Sequence, residues 1–182
     1  MILNKRFFEK PTLEVAKGLL GCYLVNGKTV GKIVETEAYL FDDPASHSFK
    51  GKTKRNDKMF GEAGKAYIYF NYGMYHCFNV VTNVTGKGEA VLIRALEPLE
   101  GIEIMKNMRC KEKILDLCSG PAKLVIALGI SKEQNGCDLL NGKLRIEEGN
   151  EEKFEIGKGK RIGISKGKEL KYRFFIKGNE FV

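Results

Sequence analysis

The segment KTVGKIVETEAYL, residues 28–40, predicts a long β-strand in the first third of the chain. Glu35, Glu37 and Tyr39 fall on one face of such a strand, because successive side chains point to opposite sides. The alternate residues are mostly apolar, which is typical of a half-buried strand. Two interpretations of the acidic face remain open. The carboxylates are either the solvent-facing row of an edge strand or include a general base beside an aromatic ring.

Further elements are predicted on both sides of this strand. A helix from Thr12, with Thr as its N-cap, to a stop at Gly21 precedes a short strand at residues 22–25 and a turn at Asn26-Gly27. After a polar loop at 41–58, the predicted elements are strands at 66–71, 75–84 and 89–96, helices at 98–108 and 121–129, and short strands from about Leu139. This order predicts an α+β fold with mostly antiparallel pairing, as a single domain over residues 1–182.

The composition is that of an ordinary globular protein, with 43% hydrophobic and 30% charged residues. No apolar run approaches the roughly 18–20 residues that cross a bilayer, and the first residues lack the pattern of a signal peptide. We therefore expect a cytoplasmic protein without a membrane partner. Five cysteines, with no CxxC pair and only two histidines, predict reduced thiols and no metal site.

The formal net charge of +8 favours a polyanionic partner. Basic residues concentrate in two segments. Residues 50–65 contain six basic and two acidic side chains, and residues 153–177 contain nine and two. These segments are either solvated surface or flank a phosphate backbone. In the second segment, Lys158, Lys160 and Arg161 are spaced closely enough, with an intervening glycine, for a loop to follow such a backbone.

The segment AYIYFNYGMYHCFN, residues 66–79, contains four tyrosines within nine residues. Tyr67, Tyr69 and Asn71 share one face of the predicted strand, and Tyr72 lies beside the predicted turn. Aromatic core packing explains such a segment. So does base stacking, with a large side chain at the hairpin tip acting as a wedge in a duplex.

Arg94 is the only charged residue between Ala90 and Leu96. A charge in an apolar strand needs a partner. Arg94 is therefore either one half of a structural ion pair or a cation that orients a carboxylate, a water or a phosphate. His47, in a polar loop, fits an ordinary surface position.

Together these segments resemble the alkyladenine (3-methyladenine) DNA glycosylase family of the mammalian type, which also has bacterial members. The resemblance covers nearly the whole chain in order. It rests on RFF (6–8), VETEAYL (34–40), ASHS (45–48), YIYFNYGM (67–74), VLIRALEP (91–98), SGPAKL (119–124) and RIGI (161–164).

The resemblance implies a curved antiparallel sheet with flanking helices, similar to the C-terminal domain of formyltransferases. It implies that Glu37 is the catalytic base that activates water. Arg94 and a main-chain carbonyl near Ile162 would help to hold that water. The implied lesion pocket has Tyr39, His47 and Tyr69 as walls and Asn79 at its floor, where Asn79 disfavours the amino group of guanine.

The resemblance further implies that Tyr72, with Met74 beside it, fills the gap left by a flipped nucleotide. The expected function is monofunctional excision of 3-methyladenine, 7-methylguanine, and also hypoxanthine or ethenoadenine, from duplex DNA. We expect a monomer that needs no cofactor and is associated with the nucleoid if the source is bacterial. Two alternatives remain open: a non-catalytic nucleic-acid-binding module, such as a tRNA-binding domain, and a hydrolase of free modified nucleosides.

Overall fold

Eight antiparallel β-strands form one curled sheet in the computed structural model, which describes residues 1–71, 73–150 and 152–182. The strands are β1 (Tyr23–Asn26), β2 (Thr29–Tyr39), β3 (Ala66–Asn71), β4 (Tyr75–Thr82), β5 (Glu89–Glu100), β6 (Leu144–Glu147), β7 (Ile156–Gly159) and β8 (Arg173–Ile176). Six of them follow the order β3-β4-β5-β2-β1-β6, while β8 pairs with β2 and β7.

Four α-helices flank the described part of this sheet: α1 (Lys5–Phe8), α2 (Thr12–Gly18), α3 (Ile102–Arg109) and α4 (Pro121–Ala127). Short 3-10 helices span Asp57–Phe60, Ile114–Asp116 and Lys132–Gln134. The predicted α+β class and the single compact domain with a curved antiparallel sheet are confirmed. The likeness to the formyltransferase domain and the domain limits of 1–182 stay predictions.

Strand β2 lies inside the sheet, so the edge-strand interpretation of its acidic face is wrong. One side of β2 pairs with β5 along its length. Its other side pairs first with β1 and then, from Glu35 to Glu37, with β8. Val34 and Ala38 point into the main hydrophobic core, and the Thr36 hydroxyl donates to the Ala16 carbonyl at 2.8 Å. This packing leaves Glu35, Glu37 and Tyr39 on the face away from that core.

The predicted helix from residue 98 is wrong at its start, because β5 continues through Pro98 to Glu100. Pro98 pairs with Gly31, and the register between β2 and β5 shifts there. Such an irregularity tolerates a proline, which has no N–H to donate to the ladder. The helix begins at Ile102, after Gly101 reverses the chain with φ 73°.

Thr12 does not act as the N-cap that the sequence suggested. It is the first residue of α2, and Pro11 occupies the cap position without a side-chain hydrogen bond. The buried Thr12 hydroxyl instead contacts Glu89 and lies 2.9 Å from the Thr82 hydroxyl. A tertiary contact therefore uses the oxygen that a local cap would have needed.

Within the residues that the structure describes, no helix has the length and apolar character to cross a membrane. The same residues contain no group of three His, Cys, Asp or Glu side chains placed to hold a metal ion. All five cysteines carry free thiols, and Cys22, Cys77 and Cys118 are buried.

Candidate active site

A cavity of about 490 Å³ opens on the face of the sheet away from the main core. Strands β2 to β5 supply about half of its wall, and the loop segments at 44–47 and 162–166 supply most of the rest. Six residues that the sequence analysis singled out line this cavity: Tyr39, His47, Tyr69, Asn79, Arg94 and Ile162. Its size lies within the range of about 300–1,000 Å³ that is usual for small-molecule pockets.

Glu37 lies directly behind this lining and is fully buried. Its Oε1 accepts a hydrogen bond from the Ile162 N–H at 2.8 Å, and its Oε2 accepts one from the Tyr39 hydroxyl at 2.7 Å. The Nη1 atom of Arg94 lies 3.4 Å from Oε1. All three partners line the cavity, so only these residues separate the Glu37 carboxylate from the interior of the cavity.

The environment of Glu37 pushes its pKa in two directions. Burial raises the pKa above its ordinary value and is the largest influence. The Arg94 guanidinium, the Ile162 N–H and the Tyr39 hydroxyl oppose that rise, because each stabilises the charged form. A carboxylate with a raised pKa that is still held by donors suits general-base work near neutral pH.

The structure defines a contact of Ile162 that the sequence did not indicate. The resemblance implied a carbonyl contact to water, whereas the N–H group is the one that binds Glu37. This hydrogen bond joins residues 125 positions apart in the chain. The carbonyl contact to water stays a prediction.

Arg94 lies between two carboxylates. It can therefore both form a structural ion pair and orient a carboxylate, the two interpretations that the sequence left open. Its Nε lies 3.4 Å from Glu35 Oε1, and its Nη1 lies at the same distance from Glu37 Oε1. Arg173 of β8 donates from Nη1 to Glu35 Oε1 at 2.7 Å. Two buried acids are thus balanced by two guanidinium groups, which is a condition for keeping charges in a site of low polarity. Sequence reasoning did not assign a site role to Glu35 or Arg173.

The aromatic walls are arranged edge to face. The His47 and Tyr69 ring centroids are 4.4 Å apart at 72°. Although His47 is exposed at the rim, neighbouring protein atoms and then the charge of Arg55 lower its pKa, which favours the neutral imidazole. The surface position expected for His47 is therefore confirmed, and the residue also lines the cavity.

Tyr67 and Tyr69 of the tyrosine-rich hairpin both belong to a small apolar cluster, and both line the cavity. Tyr67 is buried in a small cluster with Met59, Val81 and Ala90, and its hydroxyl lies 2.8 Å from His47 Nδ1. Tyr69 is only partly buried and lines the cavity. Tyr67 therefore packs in the core and also contacts the pocket residue His47, and base stacking on these rings stays a prediction.

Asn79 is 4% exposed and is oriented by the backbone of the neighbouring strand. Its Nδ2 donates to the Tyr67 carbonyl at 3.0 Å. The amide is thus fixed where it lines the cavity, so it offers a defined polar contact to any occupant.

Comparison with known proteins agrees with this geometry. Residues 6–180 match the family described as methylpurine-DNA glycosylase. The chain belongs to the methylpurine-DNA glycosylase family. It is therefore a DNA glycosylase, a hydrolase of N-glycosyl bonds that acts on DNA in the repair of alkylation damage.

Several relatives of this glycosylase are about half identical to it. A protein of Carboxydothermus hydrogenoformans is 53% identical over 188 residues, covering 100% of this chain and 98% of its own. A protein of Clostridium tetani is 50% identical over 200 residues with the same coverage, and one of Methanoculleus marisnigri is 48% identical over 189 residues, again with that coverage. Each bears the name "Putative 3-methyladenine DNA glycosylase".

The hairpin between β3 and β4 of the glycosylase carries an exposed apolar tip. Met74 is 73% exposed and follows Gly73, whose φ is 66°. Arg55 donates from Nη2 to the Phe70 carbonyl at 3.2 Å, so a basic loop lies against this hairpin. Tyr72 lies outside the described residues, and its wedge role stays a prediction.

One member of the basic segments is not available to DNA. Arg161 is only 5% exposed and forms a buried ion pair with Asp43. For Arg161, therefore, neither open interpretation of this segment holds, because its side chain is neither solvated surface nor placed to contact a phosphate. Lys158 and Lys160 beside it are exposed, as are the basic residues of the other segment between Lys50 and Arg55.

Proposed function

We propose that this glycosylase turns an alkylated purine, 3-methyladenine or 7-methylguanine, out of duplex DNA into the cavity and hydrolyses its N-glycosidic bond with water. Glu37 takes a proton from the attacking water, whose oxygen bonds to C1′ of the sugar. The bond between C1′ and the purine breaks, and its electron pair leaves with the base. A cationic base leaves as a neutral molecule, so it needs no proton from the protein.

The observation that carries the proposal is the set of contacts around Glu37. A fully buried carboxylate with a guanidinium at 3.4 Å and two donors within 2.8 Å is held in one orientation. The same negative charge also stabilises the positive charge that develops on the sugar as the bond breaks. Because its three partners line the cavity, a sugar at the cavity mouth would lie close to this group.

The walls of the cavity favour a cationic base over a normal purine. The faces of Tyr39 and Tyr69 are electron-rich, and a cation on such a face gains about 0.5–2 kcal/mol. Unstacking a damaged base also costs less than unstacking a normal one. Hypoxanthine and ethenoadenine are neutral and require a proton donor for their departure, so we expect slower excision of these bases.

We further propose that water, rather than an amine, is the attacking group, and that the glycosylase acts as a monomer without strand cleavage. Lys166 lines the cavity, but it is exposed at its rim, whereas an imine-forming lysine works best where desolvation lowers its pKa. Borohydride should therefore trap no covalent complex between the protein and a lesion duplex.

Duplexes that each carry one lesion, assayed for released base, test the proposal together with the Glu37→Gln variant. We expect release of 7-methylguanine by the wild type and retained binding with at least a roughly 100-fold slower release by Glu37→Gln. Glu155→Gln, at an exposed ion pair with Lys177, is the matched control and should act as the wild type. Wild-type release by Glu37→Gln would eliminate the assigned base. Faster release from free 7-methylguanosine than from duplex would favour the nucleoside hydrolase instead.

A further inference from the structure

The ion pair between Arg161 and Asp43 connects two segments of the active site. The side chains are 0% and 1% exposed, which makes this the most deeply buried ion pair among the described residues. Asp43 lies in the loop that leads to His47, and Arg161 directly precedes Ile162. The pair joins residues 118 positions apart in the sequence.

Arg161 also contacts the same site through its two terminal nitrogens and its planar face. Its Nη1 donates to the Ala38 carbonyl at 3.0 Å, and its Nη2 donates to Asp43 Oδ1 at 2.8 Å. Its guanidinium carbon lies 4.7 Å from the centroid of the Tyr39 ring. Only arginine offers a planar group with several fixed donors that can bind a carboxylate, a carbonyl and a ring face at once.

The main chains on both sides of Arg161 form hydrogen bonds that connect them to the acidic face of β2, directly or through Arg173. The Lys160 carbonyl accepts a hydrogen bond from Arg173 Nε at 3.0 Å, and Arg173 binds Glu35. The Ile162 N–H donates to Glu37. Arg161 and Ile162 thus contact β2 directly, whereas Lys160 is connected to it through Arg173.

We propose that the Arg161–Asp43 pair is a positioning clamp that holds the Ile162 N–H against Glu37 and supports the Tyr39 ring from behind. Neither residue touches the substrate. The clamp acts on the chemical step, because Glu37 and Tyr39 work only when their orientation is fixed. This inference rests on the proposed role of Glu37 as the base.

Two effects of the pair have opposite signs and can be separated. If it acts only through its charges, removing the negative charge of Asp43 would lower the pKa of Glu37. If it acts by positioning, losing Asp43 frees the Ile162 N–H, and the pKa of Glu37 rises because this hydrogen bond favours the charged form. The other charged or titratable groups around Glu37 are Glu35, Tyr39, Tyr69, Cys77, Arg94, Arg161 and Arg173.

The test measures single-turnover release of 7-methylguanine from a duplex, with saturating enzyme, as a function of pH. Asp43→Asn and Arg161→Met remove the pair, Arg161→Lys keeps the positive charge, and Arg145→Met breaks a partly exposed ion pair on β6 as a control. We expect a loss of roughly 10–100-fold in the rate for Asp43→Asn and Arg161→Met, since small misplacements at a reacting centre have effects of this size. The Kd for the lesion duplex should stay within about threefold, because the loss lies in the chemical step.

The acid limb of the Asp43→Asn profile should move to higher pH, and Arg161→Lys should retain more activity than Arg161→Met. A limb that moves to lower pH, or a loss confined to duplex binding, would overturn the clamp. Thermal melting identifies variants that do not fold. If Asp43→Asn is one of them, Arg161→Lys carries the test and must show the slower rate without weaker binding. If all three variants release base at the wild-type rate while Glu37→Gln is inactive, the clamp is refuted and the proposed base stands. If Glu37→Gln is active, the proposed base itself is refuted.

Discussion

Replacing Arg94 by methionine removes the cation that lies between the buried carboxylates of Glu35 and Glu37. Each carboxylate is 3.4 Å from the guanidinium, and the Arg94 side chain is only 13% exposed. Leaving one member of a buried ion pair without its partner costs roughly 3–5 kcal/mol of stability. Glu35 keeps Arg173, and Glu37 keeps two hydrogen-bond donors. We therefore expect a loss near the lower limit, about 3 kcal/mol at neutral pH.

The loss should depend on pH, and its sign follows from proton binding. Arg94 lowers the pKa of Glu37, so its removal raises that pKa further above the unfolded value. Between the two pKa values the folded state binds more protons than the unfolded state, and the free energy of unfolding then falls as pH rises. The deficit of Arg94→Met relative to the wild type should be smallest at the acid end of a pH series and largest at its alkaline end.

Urea unfolding of the wild type and Arg94→Met across this range measures the difference directly. Arg145→Met is the control, because its ion pair with Glu147 is partly exposed and such a pair contributes only about 1 kcal/mol or less. Adding Glu37→Gln to Arg94→Met should remove most of the pH dependence. An equal deficit at both ends of the range would show that the two carboxylates do not depend on Arg94 for their charge.

Two further predictions concern the hairpin tip and the turn before α3. Tyr72→Ser should weaken binding of a lesion duplex and slow base release, which gel-shift and release assays measure together; unchanged values would disprove the wedge. Gly101→Ala should destabilise the fold by more than about 1–2 kcal/mol, because φ is 73° and a Cβ would lie 2.5 Å from the Lys28 carbonyl oxygen. Gly86→Ala, with a positive φ but open space, should show only the conformational cost, and equal melting temperatures for the two variants would contradict this reasoning.

Local periodicity was sufficient to place Glu37 and Tyr39 on one face of β2. The pairing with β5 is regular from Thr36 to Tyr39, so the alternation of side chains that the sequence predicts survives in the sheet. Earlier in the strand the register shifts, and Ile33 and Val34 both face the core. The alternation of residues predicts the face on which a side chain lies only where no bulge interrupts the strand.

The sequence did not predict the contacts that make the site buried and charged. Arg161 lies among exposed lysines, and nothing local distinguishes it from a surface charge. Its partner Asp43 lies 118 residues away, as Glu37 lies 125 residues from Ile162. Contacts of this separation depend on the tertiary fold, and the resemblance to a family marked RIGI as a motif without indicating what its arginine binds.

The position of Glu37 on a strand with two paired edges explains why the site needs so many basic partners. Glu35 and Glu37 project from a face of the sheet that Arg94, Arg173 and the segment at 160–162 cover, so both side chains are removed from water. Ionised carboxylates persist there only with cations beside them, and β5 and β8 supply one arginine each.

The Tyr39 ring also needs charge compensation beside it, because a guanidinium lies against it. Arg161 lies over one of its faces, so only the opposite face is free to line the cavity. An isolated guanidinium there would repel a cationic base across the ring. Asp43 neutralises that charge within the same buried pair, so under the proposed function the free face of the ring can still attract a positively charged purine. Asp43 thus allows a buried arginine to lie behind Tyr39 without repelling the cationic base that the cavity is proposed to bind.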